Sequence, residues 1–95
     1  MDENNPVEFY KKLKEQLTET SNWPSNYLYK FIVETETVKI DRINTIFDNM
    51  GAVIDLKKSK NGKYTSVSIR VDLASPDEVI AKYKEVGAIE GVISL

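Results

Sequence analysis

The 95-residue chain contains neither cysteine nor histidine. Without cysteine there are no disulfides, no thiolate nucleophiles and no thiolate metal ligands. Without histidine the chain also lacks the commonest general base, most zinc chemistry and the Ser-His and Cys-His nucleophile pairs. We therefore expect no metal, no cofactor and no catalytic activity.

A strong charge of one sign and a long apolar run are also missing. The chain has 13 basic and 15 acidic side chains and a formal net charge of −2, which gives no general attraction to nucleic acid or to an anionic membrane. No stretch approaches the ~20 apolar residues of a membrane span. The segment 1–5 is polar and acidic, unlike a signal or transit peptide. We expect a cytoplasmic protein whose residues 1–95 form one domain.

Two alternating apolar and polar runs lie between Val53 and Leu73, joined by Lys60-Asn61-Gly62-Lys63. Asn-Gly in this position predicts a β-hairpin with a type I′ turn, because both residues tolerate the positive φ that the turn requires. The turn sets a register that places the large aliphatic side chains on one face, with the pairs Leu56 with Val67 and Ile54 with Ile69. The other face is polar and carries Asp55, Lys57, Ser59, Tyr64, Ser66, Ser68 and Arg70.

Helix signals occur three times. Asn5 and Pro6 predict the start of a helix over residues 6–20. Thr37 is the expected cap of a second helix that runs to Met50, with Gly51 as its left-handed stop. Ser75 and Pro76 start the third, which ends at Gly87. Their apolar stripes are Phe9, Tyr10, Leu13 and Leu17; Ile40, Ile43, Ile46, Phe47 and Met50; and Val79, Ile80, Tyr83 and Val86.

The first strand is predicted over residues 27–35, with Tyr29, Phe31 and Val33 on one face. Leu28 and Ile32 on its other face indicate that this side of the sheet is partly covered, and we expect the N-terminal helix to cover it. Trp23-Pro24 forms a rigid joint before the strand, with Trp23 as an apolar anchor. Gly91 to Leu95 predicts a short closing strand.

After the first helix the order is β-α-β-β-α-β, which defines a ferredoxin-like α+β sandwich over residues 27–95. Right-handed crossovers give an antiparallel sheet of order 4-1-3-2 with two helices on one face and the N-terminal helix as an addition. The second strand becomes an edge, where Lys57, Lys58 and Lys60 would oppose strand-to-strand aggregation.

Several segments resemble the YbeD-like family of small uncharacterised bacterial proteins. Trp23-Pro24 and Tyr29-Lys30 are similar to its Phe-Pro and Tyr-Lys, and the segment 59–69 is similar to its Ser-Lys-Gly-Asn-Tyr-His-Ser-Val-Ser-Ile. The likeness runs from Trp23 to the C-terminus, although Asn-Gly is inverted and Thr65 replaces histidine. It implies a ferredoxin-like fold akin to ACT regulatory domains, and no established activity. We assign structural roles to its motif residues Trp23, Pro24, Tyr29, Lys30, Asn61, Gly62, Tyr83 and Gly87.

The function that these features favour is a non-catalytic regulatory or protein-interaction module that binds a protein partner or forms a homodimer. RNA binding on the open sheet face and sensing of a small metabolite are the alternatives. Asp55 and Arg70 are expected to form a surface ion pair rather than an acid-base centre. The other acids that an enzyme could use, read here as solvated charges, are Asp41, Asp48 and Asp72.

One corner of the hairpin is basic and rich in hydroxyl groups. It is a candidate site for an anion or an acidic partner surface, and protection of the sheet edge is the competing interpretation. Its residues are Lys57, Lys60, Lys63, Tyr64, Ser66 and Ser68.

Overall fold

Alternating β-branched and aromatic residues place two ten-residue strands at the centre of the sheet. The structure, a computed structural model, describes residues 6–95. Its strands form an antiparallel sheet of order β2-β3-β1-β4. The predicted ferredoxin-like fold and strand order are confirmed. The elements in chain order are α1 Pro6–Thr20, β1 Ser25–Glu34, α2 Thr37–Ile46, β2 Val53–Lys58, β3 Tyr64–Leu73, α3 Pro76–Gly87 and β4 Ile93–Ser94.

Tyr29 is the centre of the core. It is fully buried, and its hydroxyl group donates a hydrogen bond of 2.9 Å to the carbonyl oxygen of Val79 in α3. Its ring centroid lies 4.8 Å from that of Tyr83 and 5.2 Å from that of Phe47, which follows α2. One side chain of β1 therefore contacts residues of both helical segments that cover the sheet, and burial of this aromatic cluster contributes much of the packing.

The N-terminal helix was expected to cover the outer side of the sheet. That prediction is wrong. The helix packs beside α3, where Lys14 forms an ion pair of 2.8 Å with Asp77. Leu17 is buried in the same core as the sheet, and the indole N–H of Trp23 donates to the carbonyl oxygen of Leu17 at 3.1 Å. Leu13 and Leu17 thus extend the helical layer, whereas Phe9 of the predicted stripe is exposed. Trp23 is the expected anchor. The expected cap Asn5 lies outside the described residues.

The second helix is shorter than predicted. Glu36, not Thr37, occupies the cap position, and α2 ends at Ile46 instead of Met50. Asn49 adopts a left-handed backbone with φ 62°, which no helix interior accommodates. The ammonium group of Lys82 donates to the carbonyl oxygen of Ile46 at 2.8 Å and satisfies one of the carbonyl groups that the helix end leaves open.

The third helix agrees with its prediction. The hydroxyl oxygen of Ser75 accepts a hydrogen bond from the N–H of Glu78, and the carboxylate of Glu78 accepts one from the N–H of Ala74 at 2.8 Å. This arrangement satisfies two backbone donors at the helix start. The helix ends at Gly87 as expected, whereas the closing strand is shortened to two residues.

The hairpin has the predicted register but a different turn. Leu56 pairs with Val67, and Ile54 pairs with Ile69. Of the two turn residues only Gly62 has a positive φ, 76°, and its N–H donates to the carbonyl oxygen of Ser59 at 2.8 Å. The side-chain oxygen of Asn61 accepts from the N–H of Lys63 at 3.0 Å. Because this side-chain bond holds the loop, Asn61 does not need the left-handed conformation of a type I′ turn.

We predict alkaline unfolding coupled to the buried tyrosines. Burial raises the pKa of Tyr29, and burial together with the Tyr27 hydroxyl raises the pKa of Tyr83. A raised folded-state pKa means that the native state holds protons that the unfolded chain loses above pH ~10, so stability is full below that pH and falls as the pH rises. Tyrosinate absorbance and circular dichroism should change together for these two residues. Complete ionisation of every tyrosine with unchanged circular dichroism would contradict this.

Candidate functional site

The three helices leave one face of the sheet uncovered within the described residues. Side chains of β1 alternate between the core, at Tyr29 and Phe31, and this outer face, at Leu28 and Lys30. Residues that pair directly on neighbouring strands have their side chains on the same face, so the same alternation holds across the sheet. The outer face consists of Asn26, Leu28, Lys30, Ile32 and Glu34 from β1, Val53, Asp55 and Lys57 from β2, Tyr64, Ser66, Ser68, Arg70 and Asp72 from β3, and Ile93 and Leu95 at the closing strand.

A pocket of about 240 Å³ lies on the outer face. Ser66 of β3 pairs with Lys57 of β2, and Ser68 pairs with Lys30 of β1, so the two lysines flank two hydroxyl groups from opposite sides. Leu95 forms another wall, and its N–H donates to the carbonyl oxygen of Lys30 at 2.9 Å. Three adjacent strands position these groups, because β3 lies between β2 and β1 in the sheet.

The two lysines of this pocket have no ion-pair partner in the part of the chain that the structure describes. The ion pairs of residues 6–95 involve other cations: Lys14 with Asp77, Lys39 with Glu34 and Glu36, and Lys82 with Glu85. Across the same region the expected pair between Asp55 and Arg70 does not form. Asp55 lies opposite Ser68 and Arg70 opposite Val53, so they are diagonal neighbours as predicted but are not joined. Both side chains are exposed, and water solvates each charge at little cost.

The structure divides the basic corner that the sequence predicted. Lys57, Ser66 and Ser68 line the pocket. Lys60 and Lys63 belong to the hairpin loop, and the ammonium group of Lys63 lies 5.6 Å from the ring centroid of Tyr64. Lys30 was predicted to be structural and lies outside the predicted corner, although its place next to inward-facing Tyr29 in an alternating strand was a usable signal.

The family-motif residues fall into two groups. Tyr29 is buried, and Trp23 and Tyr83 are partly buried against the core. Gly62 supplies the positive φ of the hairpin loop. Lys30 is different because it is exposed on the outer face. The Tyr-Lys dipeptide therefore contributes one side chain to the core and one to the candidate site.

The candidate acids do not assemble into a reactive centre. Asp41 lies on α2, Asp48 follows that helix, and Asp72 of β3 accepts a hydrogen bond from the side chain of Asn26 at 2.9 Å. Among residues 6–95 there is no group of three potential metal-ligating side chains. Nothing in the described chain indicates catalysis.

A stacking platform for RNA normally presents two or three aromatic side chains on a sheet. Across the described strands the outer face presents Tyr64 alone, since Tyr27, Tyr29 and Phe31 have the opposite orientation. The described strands therefore lack the aromatic platform on which RNA-binding sheets stack bases.

The fold and the site define a class: a ferredoxin-like α+β protein with an open sheet face and no assembled reactive centre in its described residues. The family model described as "Protein of unknown function (DUF493)" matches residues 18–95, and the chain belongs to this family. This finding confirms the resemblance to the YbeD-like proteins.

Two relatives are similar over most of their length. A UPF0250 protein of Shewanella halifaxensis (strain HAW-EB4) is 26% identical over 83 residues, which cover 84% of this chain and 94% of that protein. A UPF0250 protein of Shewanella woodyi (strain ATCC 51908 / MS32) is 29% identical over the same lengths. No solved structure matches the chain. Across residues 6–95 no helix combines the length and the apolar character needed to cross a membrane.

We predict opposite outcomes for substitutions at the two residues of the Tyr-Lys dipeptide. Tyr29→Ala should lower the free energy of unfolding by about 3–5 kcal/mol, because it empties the centre of the core and removes a buried hydrogen bond. Lys30→Ala should change it by less than about 0.5 kcal/mol, since the side chain is exposed and has no ion-pair partner within the described chain. Urea unfolding measures both. A large loss for Lys30→Ala would assign that residue to stability rather than to a binding site.

Proposed function

We propose that this protein is a non-catalytic interaction module that self-associates through the outer face of its sheet. The observation that carries the proposal is the concentration of exposed apolar side chains on that face. They are Leu28, Val53, Tyr64, Ile93 and Leu95, which are 43%, 59%, 40%, 56% and 70% exposed. Arg70 lies between Leu28 and Val53 in the sheet, so the surface is mixed rather than purely apolar. Exposed apolar side chains rimmed by polar residues mark interaction sites.

The size of the face supports a second copy as the occupant. The strands have ten, six, ten and two residues, and at about 4.8 Å between strands and about 3.3 Å per residue they give a surface of roughly 440 Å². Two such faces packed together would bury on the order of 900 Å², which lies below the range of stable protein interfaces and in that of weak, transient ones. This value agrees with a weak or regulated dimer rather than with an obligate one.

The charges of the face support self-association as well. Cations and carboxylates are interspersed on it: the cations are Lys30, Lys57 and Arg70, and the carboxylates are Glu34, Asp55 and Asp72. A face with both signs can meet a two-fold related copy so that each cation lies near a carboxylate. A face of one sign would repel itself.

The core also suits a module whose work is binding. The aromatic cluster around Tyr29 fixes the sheet against the helical layer, so the outer face is presented on rigid strands. Rigid presentation lowers the entropic cost of association.

We predict that the protein forms a dimer at high concentration and that new charges introduced on the outer face by substitution abolish it. The double substitution Val53→Asp and Ile93→Asp should give a monomer in sedimentation experiments, because like charges would replace apolar contacts in both copies. The matched control is Val38→Asp on α2, where the original side chain is 70% exposed but lies on the helical side.

A wild-type protein that stays monomeric at millimolar concentration would contradict the proposal. Equal weakening of the dimer by Val38→Asp would contradict the choice of surface. Circular dichroism spectra of the variants must match the wild type, which confirms that the fold is retained.

A further inference from the structure

We propose that the pocket formed by Lys30, Lys57, Ser66 and Ser68 binds the phosphate group of a small phosphorylated metabolite. The pocket is complete within one copy of the chain, so the inference does not require self-association. It goes beyond the interaction role by naming a ligand class for this face.

The pocket presents four potential hydrogen-bond donors from three neighbouring strands. Ser66 and Ser68 are two residues apart on β3, so their side chains leave the same face roughly 6.6–7 Å apart. Lys57 pairs with the first serine and Lys30 with the second, one on each side of β3. Two flexible ammonium groups can therefore approach an anion that lies over the hydroxyl groups.

Protection of the sheet edge does not explain the presence of Lys30. Lysines on β2 can prevent aggregation, because β2 is an edge strand. Lys30 lies on β1, which has neighbours on both sides. A lysine on a central strand, above a pocket and without an ion-pair partner among residues 6–95, indicates a role in binding.

The charge of the pocket fits phosphate better than carboxylate. A phosphate monoester carries about −1.5 to −2 charges at pH 7, which two ammonium groups can neutralise. A single carboxylate would leave one ammonium group uncompensated. Two charged residues of the same face lie beside Ser68 in the sheet: Asp55 pairs with it, and Arg70 is two residues further along β3. Asp55 weakens the field of the site and Arg70 partly restores it.

The volume sets the size of the ligand. A pocket of about 240 Å³ is below the ~300–1,000 Å³ of typical drug-sized ligands. It suits a phosphate group with a short organic fragment, which Leu95 can contact. A whole nucleotide would extend beyond it onto the open face.

The test is a titration of ¹⁵N-labelled protein with glycerol 3-phosphate and with inorganic phosphate, followed by amide chemical shifts at constant ionic strength. Saturable shifts should centre on Ser66, Ser68 and Leu95. Lys30→Gln and Lys57→Gln should each weaken binding about tenfold, which corresponds to the loss of one charge-assisted hydrogen bond. The Asp55→Asn variant should bind severalfold tighter.

The matched controls are Lys60→Gln and Lys63→Gln in the hairpin loop, which remove the same charge outside the pocket and should change affinity less than twofold. Equal weakening by the loop variants would overturn the proposal, because it would indicate general charge attraction. Tighter binding of mixed-sequence single-stranded RNA than of glycerol 3-phosphate would also overturn it, as would the absence of saturable shifts.

The same titration on the Val53→Asp and Ile93→Asp variant separates the two proposals. Retained phosphate binding by this monomer would support the pocket even if self-association fails. The two added carboxylates should weaken phosphate binding severalfold, as Asp55 does, so complete loss of the site-specific shifts in the folded monomer is the result that would contradict a pocket that is complete in one copy.

Discussion

The structure depends on the burial of Tyr29. Its ring contacts Tyr27, Phe31, Phe47 and Tyr83, and its hydroxyl group bonds to the backbone of α3. These contacts fix the central strand against both helical segments at one point. Because the strand alternates, fixing Tyr29 inward also fixes its neighbours Leu28 and Lys30 outward. The same constraint that makes the core therefore defines the open face on which the binding proposals rest.

That open face is a consequence of where the N-terminal helix lies. Had α1 covered the sheet, Leu28 and Ile32 would be core residues and the pocket at Lys30 would be closed. It instead extends the helical layer beside α3, with Leu17 and Trp23 joining it to the core. The outer face keeps exposed apolar side chains around three cations, Lys30, Lys57 and Arg70, that have no ion-pair partner within residues 6–95. Both binding proposals rest on this combination.

Local patterns predicted the strands, their order and the third helix because these elements depend on side-chain alternation and caps. They failed where a tertiary contact decides. The carbonyl group of Ile46 finds Lys82, 36 positions away, and α2 ends there. The turn prediction failed for a local reason, because the side chain of Asn61 accepts a hydrogen bond from the N–H of Lys63 and only Gly62 of the two turn residues adopts the left-handed conformation. The sequence predicted part of the pocket, at Lys57, Ser66 and Ser68. Lys30 joins them only through pairing of distant strands.

The central claim is that the outer face of the sheet is the interaction surface, and covalent footprinting of aliphatic side chains at low and high protein concentration tests it most directly. We expect labelling of Leu28, Val53 and Ile93 to fall as concentration rises, while labelling of Val38 on the helical side stays constant. Constant labelling of the outer face in a protein that does associate, or protection at Val38 instead, would contradict it.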